Sequence, residues 1–375
     1  MWRLLFLVIM ASLLGAIVWL SFAFCRFHTI RKRLPRARWK RMLCGLTLLA
    51  IFMSALFLTL NFVNMVMVTL HLLFIWMGCD FVAVLIRRFG RHTSPKHYYA
   101  GICAIGLTAV WLGMGWYNAH HISRTEYNLT SDKMLGTNQL KIIGLSDSHV
   151  GATFHHAEFS TYIDRINAEH PDIVVIMGDF VDDDTSKEDM EQSCLALGRL
   201  QTKYGVYYVY GNHDAGYWAN SGRGYTLADL DRCLEENGVR ILRDETVPVT
   251  GNTYICGRLD KSRSTDRKSA STLMNDRKPS DYLICLDHQP NDYAAEAASQ
   301  MDLVISGHTH GGQFLGFGPI GVWMGANDAY YGHECRDNSD FIVSSGIGDW
   351  AIRFKTGCIS EYVVINILGN DKTSD

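Results

Sequence analysis

Acidic residues are almost absent from the first third of this sequence. Residues 1–118 contain one carboxylate side chain, Asp80, beside 13 lysines and arginines, whereas residues 119–375 contain 22 basic and 37 acidic residues. The formal net charge of −3 therefore conceals a basic N-terminal part and an acidic C-terminal part of formal charge −15. Surfaces that bind nucleic acid are normally basic, so no nucleic-acid partner is expected.

Two further patterns are missing from the chain. The ten cysteines include no C-x-x-C pair, which leaves a zinc ribbon without support. Six of them lie in the acidic part. These six could include a disulfide or could be buried free thiols, and their spacing in the sequence fits both alternatives. The sequence also has no internal repeats and no low-complexity tracts.

Four long apolar runs fill the basic part. Each approaches or exceeds the ~18–20 residues that a helix needs to cross a bilayer, and they cover residues 4–24, 43–62, 66–86 and 99–116. An Arg-rich loop follows the first run where a signal peptide would have a small-residue cleavage site, so we expect this run to be retained. Residues 1–118 are therefore predicted to form a multi-pass α-helical membrane domain of about four helices. One internal carboxylate offers little from which to build a transport pathway, which disfavours a transporter.

Basic residues are concentrated in two of the three connectors between these runs. The tight turn predicted at 61–65 has none. The first and third connectors contain Arg26, Arg31, Lys32, Arg33, Arg36, Arg38, Lys40, Arg41, Arg87, Arg88, Arg91 and Lys96. Because Lys and Arg favour cytoplasmic loops, we predict a protein of the cell (plasma or inner) membrane whose termini and C-terminal domain are extracytoplasmic.

Five separate segments of the acidic part carry side chains that bind divalent cations. Each follows an apolar, strand-like run, and open α/β sheets hold their ligands just beyond the carboxyl ends of the strands. Carboxylates, amide carbonyls and imidazoles together suit Mn, Fe or Zn. The segments are Asp147-Ser148-His149, Gly178-Asp179-Phe180-Val181-Asp182, Gly211-Asn212-His213-Asp214, His288 and Gly307-His308-Thr309-His310.

These segments resemble the conserved blocks of the calcineurin-like metallophosphoesterase superfamily, which read D-x-H, G-D-x-x-D, G-N-H-[DE], a lone His and G-H-x-H in that order. The resemblance extends from about Ser123 to Leu368, and the chain is similar to the membrane-anchored, bacterial-type phosphoesterases. It implies an α/β fold of two packed β-sheets flanked by helices. We place a linker and first strand at residues 119–138 and the metallophosphoesterase domain at 139–370.

The resemblance also implies the ligands of two metal ions, with Asp179 bridging them. It assigns to the first ion Asp147, His149, Asp179 and His310, and to the second Asp179, Asn212, His288 and His308. It implies that a hydroxide activated by the two metals hydrolyses phosphomonoesters or phosphodiesters. His213 would be the general acid and Asp182 would orient it, although the neighbouring Asp183 and Asp184 leave the orienting residue open by spacing alone.

Several questions stay open at this stage. The alternative function is a non-catalytic, membrane-bound sensor or scaffold that retains the fold, although no ligand position has been lost here. Membrane attachment favours a lipid-derived or envelope-associated substrate. The basic stretch 258–278 is either an anion-attracting surface or a solvated loop, and the aromatic, Gly-rich stretch 314–331 is a candidate lid or membrane-contacting edge. Nothing indicates the oligomeric state.

Overall fold

The computed structural model describes the backbone of residues 2–34, 38–90, 97–217, 222–275 and 277–370, with side chains from residue 7 onward. The chain divides into two compact units, residues 1–114 and 115–375. Arg36, Arg91 and Lys96, which contributed to the predicted orientation, lie outside the described residues.

Four long helices make up most of the first unit. They are α1 (Trp2–Phe24), α3 (Arg38–Thr59), α4 (Phe62–Phe89) and α5 (Tyr99–His120), and a short α2 (His28–Arg33) follows α1. All four are long and apolar enough to cross a membrane. The turn between α3 and α4 is tighter than predicted, because the Asn61 side chain accepts a hydrogen bond from the Asn64 backbone N–H and starts α4 at Phe62.

The second unit contains two six-stranded mixed sheets. The strand order of the first sheet is β1-β12-β2-β3-β4-β5, and that of the second is β10-β11-β9-β8-β7-β6. The strands are β1 (Ser123–Thr130), β2 (Gln139–Leu145), β3 (Ile173–Met177), β4 (Val206–Val209), β5 (Val239–Ile241), β6 (Glu245–Thr250), β7 (Thr253–Gly257), β8 (Tyr282–Leu286), β9 (Leu303–Ser306), β10 (Gly332–Arg336), β11 (Ser339–Val343) and β12 (Glu361–Leu368).

Buried β-branched and aliphatic side chains join the two sheets face to face. Val175 of the first sheet and Ile284 of the second belong to the same buried cluster. The central strands β3 and β8 are buried along their whole length, as strands covered on both faces must be. The outer faces are covered by helices, of which the described ones are α6 (His156–Ala168), α7 (Lys187–Leu197), α8 (Leu227–Glu236), α9 (Ala270–Leu273) and α10 (Tyr293–Ala298). The predicted fold class is confirmed: apolar N-terminal helices precede an α/β domain with two mixed sheets.

Candidate metal centre

The five motif segments meet at one edge of the two packed sheets. In the first sheet, β2, β3 and β4 are adjacent and parallel, and Asp147, Asp179 and Asn212 each lie two or three residues beyond the end of one of them. In the second sheet, the parallel strands β8 and β9 end just before His288 and His308. Because parallel strands end at the same edge, distant parts of the sequence are brought together there.

Left-handed backbone conformations are concentrated at this edge. Non-glycine residues rarely adopt positive φ angles, and strained backbone of this kind is found most often at functional sites. Five of the seven predicted metal ligands have positive φ: Asp147 (51°), His149 (39°), Asp179 (51°), His308 (70°) and His310 (48°). The His308–His310 stretch is thus not extended, and its two imidazoles join different clusters.

Glycines allow the two turns of the first sheet to touch. A Cβ atom added to Gly178 would lie 2.3 Å from the backbone nitrogen of Gly211, and one added to Gly211 would lie 2.4 Å from the backbone nitrogen of Asp179. Real Cβ atoms do not approach backbone so closely, so a larger residue at either position would push the turns apart. This contact explains why both blocks begin with glycine.

The predicted ligands form two adjacent clusters. In each, three donor atoms lie within 4.8 Å of one another; one cluster is Asp147, His149 and His310, and the other is Asp179, His288 and His308. Asp179 faces both, because its Oδ2 atom lies 3.7 Å from Nε2 of His149 and 3.1 Å from Nε2 of His288. Its Oδ1 atom accepts a hydrogen bond from the His213 backbone N–H at 2.7 Å.

The side-chain oxygen of Asn212 lies beside the second cluster. The Oδ1 atom lies 3.1 Å from Nε2 of His288, while the Nδ2 group donates to the Tyr217 hydroxyl at 2.8 Å. This donor fixes the amide orientation, so the carbonyl oxygen faces the imidazole and carboxylate donors.

The donor set fits divalent cations. The Nε2 atom of His149 is buried and has no hydrogen-bond partner among the described residues, as expected of a nitrogen that binds a metal ion. The Nδ1 atom of His288 donates to the Met177 carbonyl oxygen at 2.6 Å, which leaves Nε2 as the ligand atom. The ligand roles of the individual residues remain predictions.

The clustered carboxylates and imidazoles strongly shift one another's pKa values. Burial lowers the pKa of His149, but the hydrogen bond to Asp182 and the charges of Asp179 and Asp147 outweigh burial and raise the pKa to about 9. Burial also opposes the charged form of Asp179, yet the neighbouring imidazoles, His288 first, hold its pKa well below the usual value. This excess of buried, mutually stabilised charge is the electrostatic environment of a cation site.

The comparisons with known proteins agree with this geometry. The family model for calcineurin-like phosphoesterases matches residues 140–312. An uncharacterized metallophosphoesterase of Bacillus subtilis, YkoQ, is 30% identical over 241 residues, which are 60% of this chain and 83% of that protein. The chain belongs to the calcineurin-like phosphoesterase family.

Two other relatives extend the comparison. An uncharacterized metallophosphoesterase of Campylobacter jejuni is 30% identical over 233 residues, 61% of this chain and 59% of that protein. A Bos taurus transmembrane protein with a metallophosphoesterase domain is 26% identical over 242 residues, 60% of this chain and 52% of that protein. The chain therefore spans less than two thirds of the length of each of these two relatives.

The position of Asp182 in this phosphoesterase domain requires a correction. Asp182 was expected to orient His213, but its Oδ2 atom lies 3.0 Å from Nδ1 of His149. Its Oδ1 atom accepts the backbone N–H groups of Asp184 and Thr185. Asp182 thus holds the imidazole of a predicted metal ligand, and a carboxylate in this position sets the tautomer that leaves Nε2 for the metal.

His213 is half-buried beside the clusters and belongs to neither of them. Its ring centroid lies 5.0 Å from that of His149, 4.9 Å from that of Tyr217 and 5.4 Å from that of Trp350. Burial lowers its pKa to about 4, so the imidazole is neutral at pH 7 in the protein alone. The negative charge of a bound phosphate ester would favour the protonated form.

Asp214 has a structural role that the sequence left unassigned. Its buried carboxylate accepts four backbone N–H groups: Oδ2 from Asp179 and Gly211, and Oδ1 from Phe180 and Val181. A single side chain therefore shapes both turns that carry the ligands of the first sheet.

We expect Asp214→Asn to destabilise the metal-free protein by about 2–3 kcal/mol. In either orientation of the amide, its NH₂ group would face two backbone N–H donors, leaving them unpaired in a buried site. Denaturant unfolding of the full-length protein in chelator would measure the loss, with the exposed Asp184→Asn as control. An equal effect of both variants would contradict this role.

Asp349 was not identified from the sequence, and it contacts the predicted ligand His310. It is fully buried, with Oδ1 lying 3.3 Å from Nδ1 of His310 and 3.4 Å from Nζ of the buried Lys355. The Lys355 ammonium also donates to the Ser345 carbonyl oxygen at 2.7 Å. Asp349 thus faces the imidazole of His310 at ion-pair distance, whereas Asp182 is hydrogen-bonded to the imidazole of His149.

We expect Asp349→Asn to weaken metal binding about 10–100-fold, because loss of the carboxylate behind an imidazole ligand has this cost in other metal sites. Titration of Mn²⁺ into the chelator-treated, full-length protein would measure the change. Asp340→Asn removes a similar carboxylate–imidazole pair, with His333 on β10, and is the control. Unchanged affinity in Asp349→Asn would show that the contact does not support the ligand.

The structure explains much of the basic stretch 258–278 by internal contacts. The buried Arg258 pairs with Asp287, Asp292 and Glu296, and thereby anchors the residue that precedes His288. Arg263 donates to the carbonyl oxygens of Asn212 and Gly216, and its guanidinium lies 3.9 Å from the Tyr217 ring centroid. These arginines support the loops that carry the predicted ligands.

Proposed function

We propose that the protein is a phosphoesterase that hydrolyses phosphomonoesters or phosphodiesters with two divalent ions, Mn, Fe or Zn, in the adjacent clusters. The observation that carries this proposal is the position of Asp179, whose one carboxylate oxygen faces an imidazole of each cluster. When bound, the two ions would supply the Lewis acidity that activates a water nucleophile and offsets charge on the phosphate oxygens.

The protein side chains would bind and orient the ester around this pair. Asp182 would orient the imidazole of His149 through its hydrogen bond, and Asp349 would stabilise that of His310 through its charge. The His213 ring centroid lies 5.0 Å from that of His149, and its imidazole would donate a proton to the leaving oxygen. Tyr217 and Trp350, both exposed, flank His213 and would border the bound substrate.

The membrane arrangement is part of the proposal. The basic connectors around α2 and after α4 would be cytoplasmic, which would make the catalytic domain extracytoplasmic in a plasma or inner membrane. The helix α5 ends at His120 and β1 begins at Ser123, so the chain leaves little distance between the last apolar helix and the phosphoesterase sheet. Because this connection is short, we expect the substrate to lie within reach of the bilayer surface.

An exposed apolar edge that follows His310 in the chain supports a lipid-derived substrate. It consists of five large side chains in and around the short helix α11 (Gly318–Trp323), which follows His310 in the chain. These side chains are Leu315, Phe317, Ile320, Trp323 and Met324. Trp323 is 79% exposed and Phe317 is 56% exposed. Clustered exposed apolar side chains beside a site mark a surface for an apolar ligand or a membrane.

One loop, residues 355–357, is hydrogen-bonded both to α5 and to the segment just before the apolar edge. The Lys355 backbone N–H donates to the Gly115 carbonyl oxygen at 2.8 Å. The N–H groups of Thr356 and Gly357 donate to the Gln313 carbonyl oxygen at 3.0 and 3.1 Å. The loop at residues 355–357 therefore joins Gly115 to Gln313, which lies two residues before the apolar edge.

Metal-dependent hydrolysis by the full-length protein tests the proposed activity. Purified protein, stripped with chelator and reloaded with Mn, Fe or Zn, is expected to hydrolyse aryl phosphate mono- or diesters only when a metal is present. The ratio of monoester to diester turnover narrows the substrate class. Two bound ions without turnover of soluble or vesicle-borne esters would favour the non-catalytic sensor or scaffold.

We expect Phe317→Ala/Trp323→Ala to reduce hydrolysis of a phospholipid ester in vesicles at least about tenfold, because the two rings contribute much of the exposed apolar area. Hydrolysis of a soluble aryl phosphate should change less than twofold. The matched control is Met134→Ala/Leu195→Ala, which removes two exposed apolar side chains elsewhere in the domain. Equal losses with both substrates would mean that the edge supports the fold and has no role at the bilayer.

A further inference from the structure

A cationic pocket lies at one end of the helices α1 and α3, with α2 beside it. Its volume is about 480 Å³, and its lining includes four arginines: Arg26, Arg31, Arg38 and Arg41. They come from three parts of the chain, since Arg26 follows α1, Arg31 belongs to α2, and Arg38 and Arg41 belong to the first turn of α3. The fold therefore gathers these guanidinium groups around one cavity.

One of the four arginines is held in place by a polar network. Arg26 donates to Oδ2 of Asp80 at 2.5 Å, and the Tyr98 hydroxyl donates to Oδ1 of the same carboxylate. The Tyr98 hydroxyl in turn accepts a hydrogen bond from Nε1 of Trp76, and the Tyr98 ring lies 4.5 Å below the Arg26 guanidinium. Arg26 is therefore the ion-pair partner of Asp80.

The remaining positive charge of the pocket has no protein counterion in this unit. Asp80 is the one carboxylate side chain in residues 1–118, and Arg26 already pairs with it. No ion pair with Arg31, Arg38 or Arg41 occurs in the described part of the chain. Guanidinium groups bind phosphate oxygens with paired hydrogen bonds, so an anion carrying phosphate is the complementary ligand.

The rest of the lining points to an amphipathic ligand. Phe22, Trp39 and Met42 also line the pocket, and all three are exposed. Each lies at the end of a helix that is long and apolar enough to cross a membrane, where the hydrocarbon core gives way to the headgroup layer. A phospholipid satisfies both parts of this lining, with its phosphate among the arginines and its glycerol and first methylenes against the apolar side chains.

The crossing of α1 and α3 keeps this end of the helices in place. A Cβ atom added to Gly45 of α3 would lie 2.3 Å from the carbonyl oxygen of Ser21 in α1, so the two backbones are in direct contact. This contact lies one turn from Arg41 and Cys25, which both line the pocket. The pocket walls are thus set by helix packing.

We propose that this pocket binds the phosphate-bearing headgroup of an anionic phospholipid, at a site separate from the phosphoesterase centre. Binding does not depend on hydrolysis, and the bound lipid is a structural or regulatory ligand rather than the substrate. Basic pockets between membrane helices have this property in general, and their affinity rises with each guanidinium near the phosphate.

The test measures binding of phosphatidylglycerol and phosphatidylcholine to the full-length protein by native mass spectrometry. We expect Arg31→Gln/Arg38→Gln/Arg41→Gln to bind phosphatidylglycerol about 100-fold more weakly, while binding of phosphatidylcholine is unchanged. The matched control Lys32→Gln/Arg33→Gln/Lys40→Gln removes equal charge from the same connector, but these residues do not line the pocket, and less than a threefold loss is expected. The variant Arg31→Lys/Arg38→Lys/Arg41→Lys keeps the charge and should retain most of the binding.

Three results would overturn the proposal. Equal loss in the pocket variant and the matched control would show diffuse attraction to the basic connector. Full binding in the pocket variant would show that the arginines do not hold the lipid. Displacement of phosphatidylglycerol by millimolar inorganic phosphate would assign the pocket to a free anion. Metal-dependent hydrolysis of a soluble ester should be the same in all these variants, so the failure of this inference is distinct from failure of the proposed enzyme.

Discussion

Asp179→Asn is expected to remove metal-dependent hydrolysis almost completely. The remaining oxygen of the amide can still accept the His213 backbone N–H, which Asp179 Oδ1 accepts at 2.7 Å. The NH₂ group would then replace Oδ2, which faces His149 and His288. The substitution thus removes a negative charge shared by two clusters and places N–H donors where cations would bind.

The expected loss in kcat/KM exceeds about 100-fold, because removal of groups that only support metal ligands already costs 10–100-fold. Metal content measured by mass spectrometry of the eluted ions should fall together with activity. The control is Asp184→Asn, which changes an exposed carboxylate two residues beyond the segment Gly178–Asp182. This variant should keep its metal content and its activity. Two bound ions and near-normal turnover in Asp179→Asn would exclude a bridging role.

Much of the site could be predicted because each ligand segment is short and follows a strongly apolar strand. The strands β3 and β8 consist of apolar residues, Ile173–Met177 and Tyr282–Leu286, and each ends two residues before a predicted ligand. Buried central strands produce continuous apolar runs, and the polar residues that follow them are conspicuous. At these strands, the local sequence alone is enough to predict where the ligand residues lie in the fold.

Edge strands, and side-chain pairs between residues distant in the chain, have no comparable pattern in the sequence. The strand β1 has no apolar run, because its side chains alternate between half-buried and exposed. Its partner β12 lies more than 230 residues further along the chain. The pairing of Asp182 with His149 also depends on how two separate turns pack. Spacing along the chain could place Asp182 near the site, but it could not show which imidazole the carboxylate contacts.

The same limit applies to charged residues. Arg258 and Arg263 belong to a basic run that a solvated loop would explain equally well. In the structure, one is a buried partner of three carboxylates and the other supports the backbone of Asn212. A buried ion pair joins residues distant in sequence, so its members look like ordinary surface charges until the fold is known.

His213→Ala is expected to separate the chemical step from metal binding. Its imidazole belongs to neither cluster, and its backbone N–H can still donate to Asp179. Metal content should therefore remain unchanged. For an alkyl phosphate ester, whose leaving oxygen needs a proton, we expect kcat to fall about 10²–10⁴-fold, the usual contribution of a general acid.

The leaving group provides the internal control for this prediction. A nitrophenyl ester departs as a stable anion and needs no proton from His213, so its turnover should fall by less than about tenfold. Replacement of Tyr217, which lies against the same imidazole at 4.9 Å, by Phe keeps the ring and should affect both esters equally. If His213→Ala slows the nitrophenyl and alkyl esters to the same extent, the imidazole binds the phosphate rather than protonating the leaving oxygen. A loss of bound metal would instead make His213 a support of the cluster at His149, so each of the three roles has its own experimental signature.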